Sequence, residues 1–193
     1  SPPRKPPYMI HFLCVSGVRA VKLYLPAKQA ELDAVLDCLE VDSWQEGQLE
    51  ECDTAMPEMW AFVDMSHTSM EQVNQFSQCL EMLDANGELA AFKAVASQLD
   101  IYKLEDAMAL AEHLSEYAFE PSIHSLEDRA REELALMADG PELDLLIRNL
   151  NLTAYGADLM YRDRGILSDY GYVHRPDGQP IHLPQQGMDM TMQ

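Results

Sequence analysis

Across the sixty-four residues from Gln29 to Phe92 the chain carries fifteen carboxylates and not one Lys or Arg. A segment so one-sided repels itself on compaction, which constrains how it can fold. Solvated acidic tails are poor in aromatic and aliphatic side chains, yet this segment contains Trp44, Trp60, Phe62, Phe76 and Phe92. It is therefore expected to fold, with its aromatics inside and its carboxylates outside. The imbalance extends to the whole chain, where 33 acidic residues against 13 basic ones leave a formal charge of −20. That field opposes direct nucleic-acid binding and binding to anionic membranes, and it favours a basic partner.

With 193 residues and 47% hydrophobic content, the chain has enough apolar material for one domain or for two to three small ones in series. No apolar run approaches the roughly 20 residues of a membrane helix. Cys14, Cys38, Cys52 and Cys79 form no CxxC pair, so neither a zinc site nor a redox motif is expected. With no signal peptide in the sequence, the expected location is the cytoplasm, with reduced thiols.

Taken in order, residues 1–7 hold four prolines and are expected to form a mobile leader. Tyr8 to Ser16 is apolar and β-rich, Ser16-Gly17 signals a turn, and Arg19 to Leu25 alternates as a half-buried strand does. A hairpin follows. Pro26 suits a first helical turn, and Leu32, Val35, Leu36 and Leu39 follow at helical spacing. Further strands are expected over Trp44–Asp53 and Trp60–Met65, completing an N-terminal α+β domain over 8–65.

From 66 to 115 the periodicity is helical. One helix carries Met70, Val73, Phe76, Leu80 and Leu83 until Asn86-Gly87 breaks it. Others are expected over Glu88–Leu99 and Leu104–Leu114, together forming a small central helical bundle. Within a C-terminal α+β domain over 116–175, Tyr117–Glu120 ahead of Pro121 reads as a short strand. Ser125 is an N-cap for a helix reaching Met137. Asp139-Gly140-Pro141 opens another to about Asn149, Asn151 caps a third to about Tyr161, and Gly165–Val173 closes the fold as a strand pair. Residues 176–193, rich in Pro, Gln, Gly and Met, are expected to be disordered. The fold class is thus α+β.

No catalytic site is legible. Glu112-His113 with Glu116, His124 and His67 lacks the i, i+4 histidines of helical zinc sites and the repeated Glu-x-x-His of di-iron bundles. Asp42-Ser-Trp-Gln-Glu-Gly47 has the glycine of a calcium loop but Trp44 where an oxygen ligand belongs. P-loop, dinucleotide-binding and GxSxG patterns are absent. The chain therefore reads as a non-enzyme with no metal and no cofactor.

Near the C-terminus, Leu152-Thr-Ala-Tyr-Gly156-Ala-Asp-Leu159 is followed by Ser168-Asp-Tyr-Gly-Tyr-Val173. Upstream stand Leu89-Ala-Ala-Phe92, Leu104-Glu-Asp-Ala107 through Ala111-Glu112, and Tyr117-Ala-Phe-Glu-Pro121. In order and spacing these runs resemble the ArdA-type antirestriction proteins of bacterial mobile elements. The resemblance covers the last half to two-thirds of the ordered chain. The family's opening segment, with Asn and Gly leading to a Trp, is replaced here by a different hairpin and helix. The resemblance implies an elongated, acidic, usually dimeric DNA mimic. Its carboxylates would occupy the DNA-binding groove of a Type I restriction-modification enzyme.

Mimicry has a physical basis of its own. Duplex DNA presents one charge per ~1.7 Å of axis, and a rigid carboxylate array of similar density can fill a Lys/Arg-lined groove. An acidic surface that only aids solubility is the alternative for a charge run taken alone. The candidate partner-binding residues are Glu31, Asp33, Asp37, Glu40, Glu50, Glu51, Glu127, Asp128, Glu132 and Glu133. Tyr155, Gly156, Tyr170, Gly171 and Tyr172 are markers of the family motif and are read as structural: tyrosines in the core, Gly156 for close packing and Gly171 for a turn. The competing functional reading is a non-enzymatic adaptor of a mobile element that binds some other basic protein.

Overall fold

The computed structural model describes residues 6–54 and 67–184. Among these residues it is an α+β structure with seven α-helices and two three-stranded antiparallel sheets. Contacts divide the described chain into two compact units. Unit 1 holds 6–54, 67–89 and 101–111, and unit 2 holds 90–100 and 112–184. The helical middle of the chain is thereby shared between the two units.

Unit 1 opens with the expected hairpin. Strands β1 (Ile10–Ser16) and β2 (Arg19–Leu25) pair with Ser16 opposite Arg19, leaving Gly17 and Val18 as the loop. Gly17 takes φ +61, the positive value that a type II′ turn needs at its first loop residue to match strand twist. Alternation buries Ile10, Phe12 and Cys14 with Leu23 and Leu25. Helix α1 (Gln29–Leu39) packs on both strands and buries Leu32, Val35 and Leu39. Pro26 precedes the helix and Lys28 is its N-cap, so the proline does not occupy the first turn. It lies at the end of the last paired strand residue, Leu25.

Strand β3 (Gln48–Thr54) adds to the other side of β1, giving the order β2-β1-β3. The strand expected from Trp44 therefore starts later. Trp44–Glu46 form a 3₁₀ turn, because the Glu46 carboxylate accepts from the Asp42 and Ser43 amides at 2.6 and 3.3 Å. The expected strand over Trp60–Met65 lies outside the described residues.

Helix α2 (Met70–Ala85) starts at a capping box: the Gln72 amide donates to Ser69 Oγ at 3.2 Å, and the Ser69 amide donates to Gln72 Oε1 at 3.0 Å. It ends at Asn86, with Gly87 at φ +73. Asn74 is buried on this helix and is fully satisfied by the Ala27 backbone, accepting from its amide and donating to its carbonyl, both at 2.9 Å. Helices α3 (Leu89–Ala96) and α4 (Leu104–Glu112) follow, each a little shorter than its periodicity suggests. A 3₁₀ turn at Leu114–Glu116 takes over where α4 stops.

Unit 2 is built on β4 (Ala118–Glu120), three helices, and the hairpin of β5 (Ile166–Ser168) and β6 (Gly171–His174), in sheet order β4-β6-β5. The helices are α5 (Leu126–Met137), α6 (Gly140–Asn149) and α7 (Leu152–Asp163). Ser125 Oγ and Asn151 Oδ1 accept the capping amides of Asp128 and Ala154 at 3.0 and 3.1 Å, as the sequence implies.

The expected disordered tail is corrected at its start, since residues 176–184 are placed. The buried Arg175 pairs with Asp177 at 2.8 Å and lies 5.2 Å over the Tyr117 ring, and the Tyr117 hydroxyl donates to the His182 carbonyl. Residues 1–5 of the expected leader and 185–193 of the tail lie outside the described residues. No helix among the described residues is long and apolar enough to cross a membrane.

Candidate functional site

Two groups of carboxylates emerge, and the structure treats them differently. On α1, Asp33, Asp37 and Glu40 recur at spacings of four and three, so they share one flank; Glu31 lies on the other. All four are exposed. Asp33 Oδ1 accepts from Gln29 Nε2 at 2.9 Å, and Glu40 meets Arg19 Nη2 at 2.9 Å. Glu31 and Asp37 have no ion pair among the described residues. Helix α2 adds exposed Glu71, Glu81 and Asp84, with Glu88 just beyond it. Glu50 is exposed on β3, as expected, and the Glu51 side chain lies outside what is described. Unit 1 thus presents carboxylates that its own cations scarcely neutralise.

The α5 carboxylates are engaged internally. Arg129 is 8% exposed and projects from α5 toward α7. Its Nε and Nη2 reach Asp163 Oδ2 at 3.1 and 3.0 Å, and its Nη1 reaches Glu133 Oε2 at 3.0 Å. The Tyr172 hydroxyl donates to the same Asp163 oxygen at 2.8 Å, and Arg129 sits 5.9 Å over the Tyr172 ring. Arg162 adds longer contacts to Glu133 at 3.6 Å and Asp163 at 3.7 Å. Asp128 accepts from the His124 amide at 3.0 Å, and Glu127 accepts from Thr153 Oγ1 at 3.2 Å. Glu132 faces Glu120 of β4.

Electrostatics follow from this crowding. Burial opposes the Arg129 charge, but hydrogen bonds and attraction from Glu133 and Asp163 outweigh it and raise its pKa. Burial likewise pushes Asp163 up, while hydrogen bonds from Tyr172 and Arg129 more than offset this and hold its carboxyl below the ordinary range. The Tyr172 phenol is pushed up by burial and by the Asp163 carboxylate. Glu120 is pushed up by burial first and then by Glu132. Glu133 and Asp163 therefore hold Arg129, with Glu120 also near it and Glu132 beside Glu120. Of the expected partner-binding set on α5, Glu133 serves the fold, and Glu127 and Asp128 are partly engaged.

Of the motif residues, Gly156, Gly171 and Tyr172 are buried in close packing, while Tyr155 and Tyr170, expected in the core, are not. A Cβ at Gly156 would overlap the Leu126 carbonyl and clash with its Cα at 3.0 Å, so glycine sets how closely α7 approaches α5. Gly171 has φ +143 and faces the Glu120 carbonyl, which a Cβ would meet at 2.6 Å. Ser168, which opens the same motif run, ties this turn: its Oγ accepts from the Tyr170 and Gly171 amides and donates to the Gly171 carbonyl at 2.7 Å. Tyr172 is fully buried, whereas Tyr155 and Tyr170 are half-buried.

Sequence reasoning missed Arg129 and Asp163. The Arg129-x-x-x-Glu133 spacing is a legible helical pair, but nothing local connects it to Asp163, thirty-four residues on. Among the described residues no group of three or more His, Cys, Asp or Glu is arranged to hold a metal. No family model matches the chain, and no curated protein matches it.

Proposed function

We propose that this chain is an acidic DNA mimic that inhibits a DNA-binding enzyme, with a Type I restriction-modification system as the target. The observation that carries this reading is the acidic surface of unit 1, of which only Glu40 has a cation partner on α1 among the described residues. On the α1 flank, steps of four and three residues place carboxylates ~6 and ~4.5 Å apart along the axis, the same order as one phosphate per 3.4 Å of a DNA strand. No Lys or Arg interrupts the sequence from Gln29 to Phe92. A DNA-binding groove lined by Lys and Arg would exchange its condensed ions for this surface. Steep salt dependence is the signature of that exchange.

The test is inhibition of a Type I enzyme on its own substrate DNA, with direct binding measured across a salt series and with duplex DNA as competitor. The reading expects inhibition, competition by DNA, and affinity falling steeply with salt. Binding to a basic protein that DNA does not displace would overturn mimicry in favour of an adaptor role.

A further inference from the structure

Within unit 1, the 3₁₀ turn at Trp44 forms one wall of a pocket of about 590 Å³ that α1, β3 and the start of α2 complete. That volume falls within the ~300–1,000 Å³ of ligand pockets. Leu36, Trp44 and Leu49 line it and are half-buried, whereas Asp33, Asp42 and Glu71, which also line it, are exposed. No Lys or Arg stands among its lining residues. The pocket is therefore apolar and aromatic within and anionic at its mouth. Its wall is held by contacts of its own: the Glu46 carboxylate accepts from the Asp42 and Ser43 amides, and Asp33 accepts from Gln29 Nε2. A wall fixed in this way lowers the ordering cost of binding.

We propose that this pocket takes one arginine side chain from the basic partner. Carboxylates at the mouth favour a cation and disfavour an anionic ligand. The methylene stem of an arginine packs on leucine side chains while its charged head stays near the carboxylates. A planar guanidinium stacks on an indole and directs several N–H donors at carboxylates, whereas the ammonium of a lysine is compact and strongly hydrated. A buried aromatic contact with an arginine is the kind of anchor that dominates an interface. The pocket thus adds to the acidic surface a contact that phosphate-like charge alone does not supply. This inference rests on the mimic reading for the identity of the partner, while the preference for arginine belongs to the pocket itself.

The deciding experiment titrates the full chain, labelled for NMR, with acetyl-Gly-Arg-Gly amide and with the same peptide carrying Lys or citrulline in place of Arg. The arginine peptide should shift the Trp44 indole and Leu49 amide signals. The lysine peptide should bind roughly fivefold or more weakly, and the uncharged citrulline peptide should leave the signals in place. Trp44→Leu and Asp42→Asn should each weaken the arginine peptide roughly fivefold or more. If Trp44→Leu fails to fold, Asp42→Asn and Glu71→Gln decide, since both positions are exposed. Equal binding of the three peptides, shifts spread evenly over the acidic helices, or variants that bind like the parent would each overturn the proposal. A restriction assay on the same proteins separates the two readings. Arginine binding in this pocket without inhibition would sink mimicry and keep the pocket, and inhibition without arginine binding would do the reverse.

Discussion

Arg129 and Asp163, thirty-four residues apart, meet through two guanidinium nitrogens on a single carboxylate oxygen, at 3.0 and 3.1 Å. The side chains are 10% and 14% exposed, so the pair works in a low-dielectric setting that surface pairs lack. Through it α5 is joined to α7, and through the Tyr172 hydroxyl α7 is joined to β6. This relationship organises the polar centre of unit 2.

Replacing Arg129 with Met should cost about 3–5 kcal/mol, because it leaves Asp163 and Glu133 half-buried without their cation. Denaturant unfolding at neutral pH measures this. The loss should shrink at acidic pH as the carboxylates protonate; an equal loss at both pH values would contradict the charge-based account.

Two carboxylates give unit 2 opposing pH dependences. Asp163 has a depressed pKa, so its stabilising contribution is present above the unfolded-state value and is lost as pH falls through that value toward the folded one. Glu120 has a raised pKa, so its contribution is fully present below its unfolded-state value and is lost as pH rises through the folded one. Stability should therefore rise as pH falls through the folded-state value of Glu120 and collapse once pH falls below the unfolded-state value of Asp163. Glu120→Gln should flatten the first limb and leave the second. Unfolding free energies across a pH series provide the check.

Gly156→Ala should destabilise unit 2 by about 3 kcal/mol or more. The added methyl meets backbone of Leu126 that no rotamer change can move aside. Thermal and denaturant unfolding should both show the loss, with binding by the unit 1 surface retained under folding conditions.

Neutralising Glu31, Asp33 and Asp37 together should weaken target binding roughly tenfold or more and make its salt dependence shallower. The melting temperature should stay level or rise, since like charges are removed. By contrast, neutralising Glu127, Asp128, Glu132 and Glu133 should lower the melting temperature, because Glu133 supports Arg129 and Asp128 accepts the His124 amide. Calorimetry alongside titration separates the two sets.

Much of the secondary structure was determined by local sequence. Period-two alternation and Gly17 sufficed for the hairpin, helical periodicity marked α1 to α4 and α7, and Ser125, Asp139-Gly140-Pro141 and Asn151 marked where α5, α6 and α7 start, because each signal acts within a few residues. Trp44 shows where such reading stops: its aromatic β character yields to a 3₁₀ turn held by the Glu46 side chain. The acidic flank of α1 was equally visible, since a stretch without Lys or Arg has no local cation to offer, and only the fold brings Arg19 to Glu40. Tertiary structure alone decided which carboxylates remain available. Arg129 consumes Glu133 and Asp163, and Glu132 is set against Glu120, because folding brings α5, α7 and β4 to one place that no spacing in the sequence encodes.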